Sequence, residues 1–280
     1  PAIGAGAPSY DILEHSNYNK SKYTEVHRQG KKSGILMDAN TIRKQENPLD
    51  AYKKSITTGQ LQDMTYLFRS NQEAINKTAV NKFLSGVKKF GVDNINIICP
   101  RRENVLNSAK ELNKKIQALL IPKGTVSEYY NHQTKTTFRL GDKVIHKENM
   151  PELKVMNGEI GTVSHVSEDQ NDKTPVVVTY KTNHGEKVVY YDVSALRVLK
   201  LAYALTVHSY QGSENKAIIV VLDSASNKLL DNTMLYTAIT RAKERCVLIS
   251  DPKSFDTCIK DNKTLIRNTW LKNILIEGVE

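Results

Sequence analysis

Three short apolar runs rich in β-branched residues constrain this chain more than any other feature: INIICP (95–100), KAIIVVLD (216–223) and CVLISD (246–251). Their length and composition read as buried strands. Segments with apolar residues spaced by three and four surround them. These are 31–92, NVLNSAKELNKKIQALL (104–120) bounded by the IPKG turn, and LDNTMLYTAITRAKE (230–244), where Asp231 or Asn232 is the expected N-cap. Helix, buried strand and helix in succession is the grammar of an α/β domain with a parallel sheet.

From Thr136 to about Lys200 that grammar is interrupted. FRLGDKVIH, GEIGTVSHV, TPVVVTY and KVVYYDV are β-rich, and NHG (183–185) sits where a hairpin turn is expected. These short strands predict a small closed barrel inserted into the α/β domain. The expected division is therefore 1–135 and 201–280 as two parts of one discontinuous domain, with 136–200 as the insert. The final NTWLKNILIEGVE is expected to be a helix or tail.

The chain has 280 residues, of which 39% are hydrophobic, enough for one or two packed cores and too many for wholesale disorder. It carries 40 basic against 30 acidic residues, and the whole excess of +10 arises within residues 1–150. Such a surplus suits a polyanionic partner, because each phosphate neutralised releases condensed counterions. No window approaches the apolar length of a membrane span, and the start of the chain lacks a signal-peptide layout. Cys99, Cys246 and Cys258 have no zinc-ligand spacing and no disulfide framework, so they read as core residues of a protein in a reducing compartment, the cytoplasm. No clustered carboxylates suggest a two-metal nuclease site, and no metal ligands are expected in this chain.

The strongest local signal is LAYALTVHSYQGSENKAIIVVLD followed by MLYTAITRAKERCVLIS. The order "A-x-T-x-H-x-x-Q-G-S-E, strand, L-Y-T-A-I-T-R-A-K" resembles motifs V and VI of superfamily 1 helicases, and its surroundings resemble the RecD-like branch. YTEVHRQGKKSGILMDANTIR is similar to the family's motif IV region. INIICPRRENVLNSAKELNKKIQ is similar to a strand and helix of the second RecA-like domain, and FRLGDKVIHKENMPELKVMNGEIGTV to the start of its Src-homology-3-type barrel. PAIGAG resembles the segment that follows motif III. The implied fold is a RecA-like, P-loop-NTPase-type parallel sheet, the second motor domain, with an inserted SH3-like β-barrel.

No G-x-x-x-x-G-K-[ST] loop and no preceding Asp-Glu pair occurs, so the phosphate cradle and the magnesium ligands are expected in a first RecA-like domain upstream of Pro1. The resemblance then implies the C-terminal motor portion of an ATP-dependent, 5′ to 3′ DNA helicase. Its partners would be single-stranded DNA and that N-terminal domain, its cofactors ATP and Mg²⁺, and this portion alone would be inactive. By the same resemblance Arg241 in ITRAK acts as an arginine finger, and Arg28 in HRQ as a second γ-phosphate contact. Gln211, Gly212 and Glu214 approach the nucleotide, while Thr206 and His208 contact strand phosphates. Gln211 to Glu214 are expected to form a turn leading into a short helix.

Many relatives carry Lys-Ser after the motif V histidine, where this chain has Ser209-Tyr210, which removes one phosphate contact and leaves Tyr210 to stack on a base or to pack. Arg101, at the end of a strand where ligands commonly sit on α/β sheets, is a further candidate for strand contact. Alternating aromatic and basic residues in the barrel, among them Phe138, Lys147 and Tyr190, suit a strand-tracking surface or a docking module. A superfamily 1 RNA helicase, a non-catalytic binding module with a degenerate motor domain, and the helicase half of a conjugative relaxase stay open as alternatives.

Overall fold

In the computed structural model the described residues are 32–261 without Gln170 and His184, together with Ile12, Asn19, Gly30 and 274–276. The main sheet has six strands: β1 (Ile56–Thr58), β2 (Met64–Phe68), β3 (Ile95–Cys99), β11 (Ala204–Thr206), β12 (Asn215–Val221) and β13 (Ala242–Ser250). Their spatial order is β1-β2-β13-β12-β3-β11, parallel throughout except for the antiparallel β1–β2 pair at one edge.

Helices cover both faces, and the strand sequences show why. On β12, Ile218 and Val220 enter one hydrophobic cluster while Ala217, Ile219 and Val221 enter the other. Successive side chains point to opposite faces, so an unbroken apolar run is what a doubly covered strand requires. One face packs against α1 (Gly34–Arg43), α4 (Asn232–Ile239) and α5 (Pro252–Lys260) through Ile35, Leu235 and Phe255. The other packs against α2 (Gln72–Phe90) and α3 (Ala109–Leu120) through Phe83, Leu112 and Ile116. Asp231 caps α4, accepting the Met234 N–H at 2.6 Å.

Three expectations need correction. Residues 31–92 are not helical throughout, because β1 and β2 lie between α1 and α2. MTYLF is apolar and aromatic and is buried along its whole length beside β13, which places it in the sheet. The helix expected over 230–244 ends at Ile239, because Ala242–Ser250 pairs in parallel with β12. Arg241 therefore occupies the turn between α4 and β13. Gln211–Glu214 leads into strand β12, and the short helical turn, His208–Tyr210, comes before it.

The β-rich segment forms a five-stranded antiparallel sheet ordered β10-β6-β7-β8-β9. Its strands are β6 (Lys143–His146), β7 (Ile160–Val166), β8 (Val176–Thr182), β9 (Gly185–Tyr191) and β10 (Leu199–Leu201). A hairpin of β4 (Glu128–Asn131) and β5 (Thr136–Arg139) precedes it and shares its core through Tyr129 and Phe138, so the β-structure starts ahead of Thr136. Strands β8 and β9 turn back with Thr182 opposite Gly185, whose φ of 117° suits glycine. Cys99, Cys246 and Cys258 are all buried. The C-terminal NTWLKNILIEGVE lies outside the described residues apart from 274–276, which are helical. No described helix is long and apolar enough to cross a membrane.

Candidate functional site

Strand β11 ends at Thr206, opposite Cys99 of the parallel neighbour β3, so the residues that follow both strands emerge at the same edge of the sheet. In open α/β sheets the carboxyl ends of the strands are where ligands gather. The Thr206 hydroxyl donates to Ser209 Oγ at 2.9 Å and accepts the Ser209 N–H at 3.3 Å, closing a tight turn. His208, within that turn, is exposed. Arg101 follows β3 and is partly exposed, yet its Nε is buried without a hydrogen-bond partner.

A groove of about 510 Å³ runs between this edge and the barrel. Its walls include Arg102, Lys110, Lys147, Lys200, Thr206 and Ser209. Lys147, on the barrel side, donates from Nζ to Ser209 Oγ at 3.0 Å. Burial and then the Arg102 guanidinium hold the Lys147 ammonium below its ordinary range; burial, Arg102 and Lys110 do the same to Lys200. The groove thus gathers half-buried cations, with Glu103 and Glu148 also on its walls.

The other side of the same segment faces Arg241. Gly212 is exposed at φ +84°, a left-handed conformation, with open space where a Cβ would stand. The Arg241 guanidinium donates from Nη1 to the Ser213 carbonyl at 3.3 Å and from Nε to the Thr237 carbonyl at 3.1 Å. The Arg241 carbonyl accepts the Asn215 N–H at 3.0 Å, and Glu214 forms an ion pair with Lys243. Ser213 and Asn215 on either side of Glu214 thus contact Arg241, Gln211 and Gly212 precede them in the chain, and Thr206 and His208 lie one turn upstream. Arg28 lies outside the described residues.

Tyr210 does not belong with the strand contacts. Its ring is 1% exposed and its hydroxyl donates to Asn96 Oδ1 at 3.2 Å, so no face is left for a base to stack on. Tyr236 packs against the core and lies under the Arg43 guanidinium, 5.4 Å from the ring centre. The groove role of Lys200 and the meeting of Lys147 with Ser209 are not visible in the sequence. Asn96, a lone polar residue inside an apolar strand, was the one available signal of a buried polar centre.

Residues 112–180 match the family described as the ATP-dependent RecD-like DNA helicase SH3 domain, and residues 201–249 match the UvrD-like helicase C-terminal domain. The ATP-dependent RecD2 DNA helicase of Deinococcus radiodurans is 27% identical over 246 residues, covering 88% of this chain. The chain is thus similar to RecD-like helicases, through its β-rich segment and over most of its length. The RecBCD enzyme subunit RecD of Buchnera aphidicola (subsp. Schizaphis graminum) is 24% identical over 259 residues, covering 86% of this chain. The matches span 30% of the first relative and 40% of the second, less than half of either protein. A Pif1 helicase from Candida albicans shares the fold, with a TM-score of 0.50 at 15% identity, over 89% of this chain and 59% of that one. In this RecD-like chain the α/β sheet and the SH3-like β-segment are both in place.

Proposed function

We propose that this chain is the second motor portion of an ATP-dependent DNA helicase that moves 5′ to 3′ along single-stranded DNA. The RecA-like domain would comprise the chain on either side of an inserted barrel that takes in the β4–β5 hairpin and the strands up to about residue 200. One observation carries the reading: the segment from Thr206 to Glu214 has a hydroxyl-and-cation groove at one end and the Arg241 cluster at the other. A strand phosphate at Thr206, Ser209 and His208 would bear on the same backbone that holds Arg241. Arg101, partly exposed at the carboxyl end of β3, would extend the strand path.

The nucleotide-side residues fit this role. The open left-handed turn at Gly212 admits close approach by a ligand, and two backbone carbonyls aim the Arg241 guanidinium. No cluster of His, Cys, Asp and Glu suited to a metal ion occurs among the described residues. By the family resemblance, the Mg²⁺ ligands and the phosphate cradle would come from an N-terminal RecA-like domain. Bound ATP supplies the phosphoryl chemistry; Arg241, joined by Arg28, would stabilise charge on the transferring group. Closure of the two domains would then depend on the triphosphate, and its loss would release them. The protein would act in the cytoplasm.

The test is ATP turnover and duplex unwinding by a protein containing both motor domains, set against the isolated 280-residue chain. Strand-stimulated turnover is expected only from the former, with DNA unwound in preference to RNA. Turnover by the isolated chain would sink the division of labour, and preferential RNA unwinding would sink the substrate assignment.

A further inference from the structure

A single buried side chain, Asn96 on β3, joins four parts of the chain that are distant in sequence. Its Oδ1 accepts hydrogen bonds from Asn215 Nδ2 at 2.9 Å, Lys143 Nζ at 3.0 Å and the Tyr210 hydroxyl at 3.2 Å. Its Nδ2 donates to the Ala202 carbonyl at 2.7 Å. An amide oxygen has two lone pairs, so three donors use its capacity fully.

Lys143 comes from the first strand of the five-stranded sheet and is 2% exposed. Besides Asn96, its ammonium meets the carbonyls of Val92 at 3.0 Å, Asp93 at 3.2 Å and Ile95 at 3.0 Å. Burying an ammonium is costly unless every proton is met, and here the acceptors outnumber the protons. The barrel is thus rooted at the entrance of β3 by a buried amine whose four acceptors tolerate little displacement.

The link to the arginine is short. Asn215 reaches Asn96 and the Asp93 carbonyl through its side chain, and its backbone N–H holds the Arg241 carbonyl at 3.0 Å. The Ser213 carbonyl, two residues earlier, accepts from the Arg241 guanidinium. Tyr210 connects the same oxygen to the turn that carries Thr206 and His208.

We propose that Asn96 and Lys143 are positioning residues for Arg241, a buried hub through which the barrel and the strand-binding turn set where the guanidinium points. Neither residue touches a nucleotide, and the proposal rests on the motor reading of Arg241. Movement of the barrel relative to β3 would be felt at Arg241 because the polar contacts of the hub are discrete and saturated.

Two measurements test it. In the 280-residue chain, hydrogen exchange of the amide at position 215 reports the Asn215–Arg241 bond without any nucleotide. Lys143→Met and the milder Asn215→Ala, at a partly exposed position, should each speed that exchange by roughly tenfold or more, while the amides of Val220 and Leu248 stay protected. Val178→Ala, a cavity in the barrel core away from the hub, controls for general loss of stability and should not single out position 215. Parent-like exchange at 215 in both hub variants overturns the proposal.

In a protein containing both motor domains, the same variants should lower kcat by about tenfold to a hundredfold, as expected for displacing an oriented group by about 1 Å. KM for ATP and the affinity for oligo-dT should stay within about twofold, since only transition-state contact is disturbed. Unchanged kcat overturns the coupling. A parent without strand-stimulated turnover counts against the motor reading itself, and the exchange result then decides separately whether the hub holds the Arg241 turn.

Discussion

The Lys147 ammonium of the barrel side and the Ser209 hydroxyl of the motor sheet meet at 3.0 Å, although 62 residues separate them in the chain. The Ser209 hydroxyl thus receives a cationic neighbour from a distant segment of the chain. The two residues share the wall of one groove with Arg102 and Lys200.

Lys147→Ala should therefore weaken binding of a fluorescent single-stranded oligonucleotide to the 280-residue chain. If one phosphate contact is lost, the slope of log affinity against log salt should become shallower by about 0.7. Measured by anisotropy at several salt concentrations, an unchanged slope would remove Lys147 from the strand path.

Arg241 is held by the Thr237 and Ser213 carbonyls and sits in a turn, not on a helix. Both Nε and Nη1 are held by backbone carbonyls, which fixes the direction in which the guanidinium points. In a protein with both motor domains, Arg241→Ala should lower ATP turnover by roughly 10³ or more while oligonucleotide affinity is largely kept. Equal turnover in variant and parent would return Arg241 to a structural role.

His208 and Tyr210 are two residues apart and have opposite environments, one exposed and one 1% exposed. His208→Ala should reduce strand affinity or uncouple strand binding from turnover and leave thermal stability near that of the parent. Tyr210→Phe should instead lower stability by about 1 kcal/mol, the typical net worth of a hydrogen bond, and leave strand affinity alone. Thermal melts beside oligonucleotide titrations separate the two, and a strand-affinity loss in Tyr210→Phe alone would reverse the assignment.

The parallel sheet was legible because Ile218 to Val221 and Ile95 to Cys99 must be covered on both faces, which only helices on both sides achieve. The α4 cap was legible because Asp231 precedes an apolar helix. Met64–Phe68 escaped because a short apolar run inside a long helical-looking stretch has no periodicity of its own. The end of α4 escaped because pairing of Ala242 with β12 overrides the helical preference of ITRAKE. At the site, the order of the motif residues was readable, but the groove and the hub were not. Lys143 and Asn96, like Lys147 and Ser209, are partners only after the barrel folds onto the sheet.

Burial pushes the Lys143 ammonium down to about 7, against an ordinary value of 10.5, with the Asp93 carboxylate opposing the shift. Asp93 is itself paired with Lys181 at 2.6 Å, so its field at Lys143 is shared. With the folded value below the unfolded one, the unfolded chain binds more protons between about pH 7 and 10.5. Stability from this group must then rise with pH across that window and fall as pH drops through the folded value. Other tyrosines and lysines titrate there too, so the quantity to measure is the difference between the parent and Lys143→Met in chemical unfolding at pH 7, 8.5 and 10. The parent should gain on the variant as pH rises. A constant difference would show that the four acceptors around Nζ offset the burial of the charge and that Lys143 keeps an ordinary affinity for its proton.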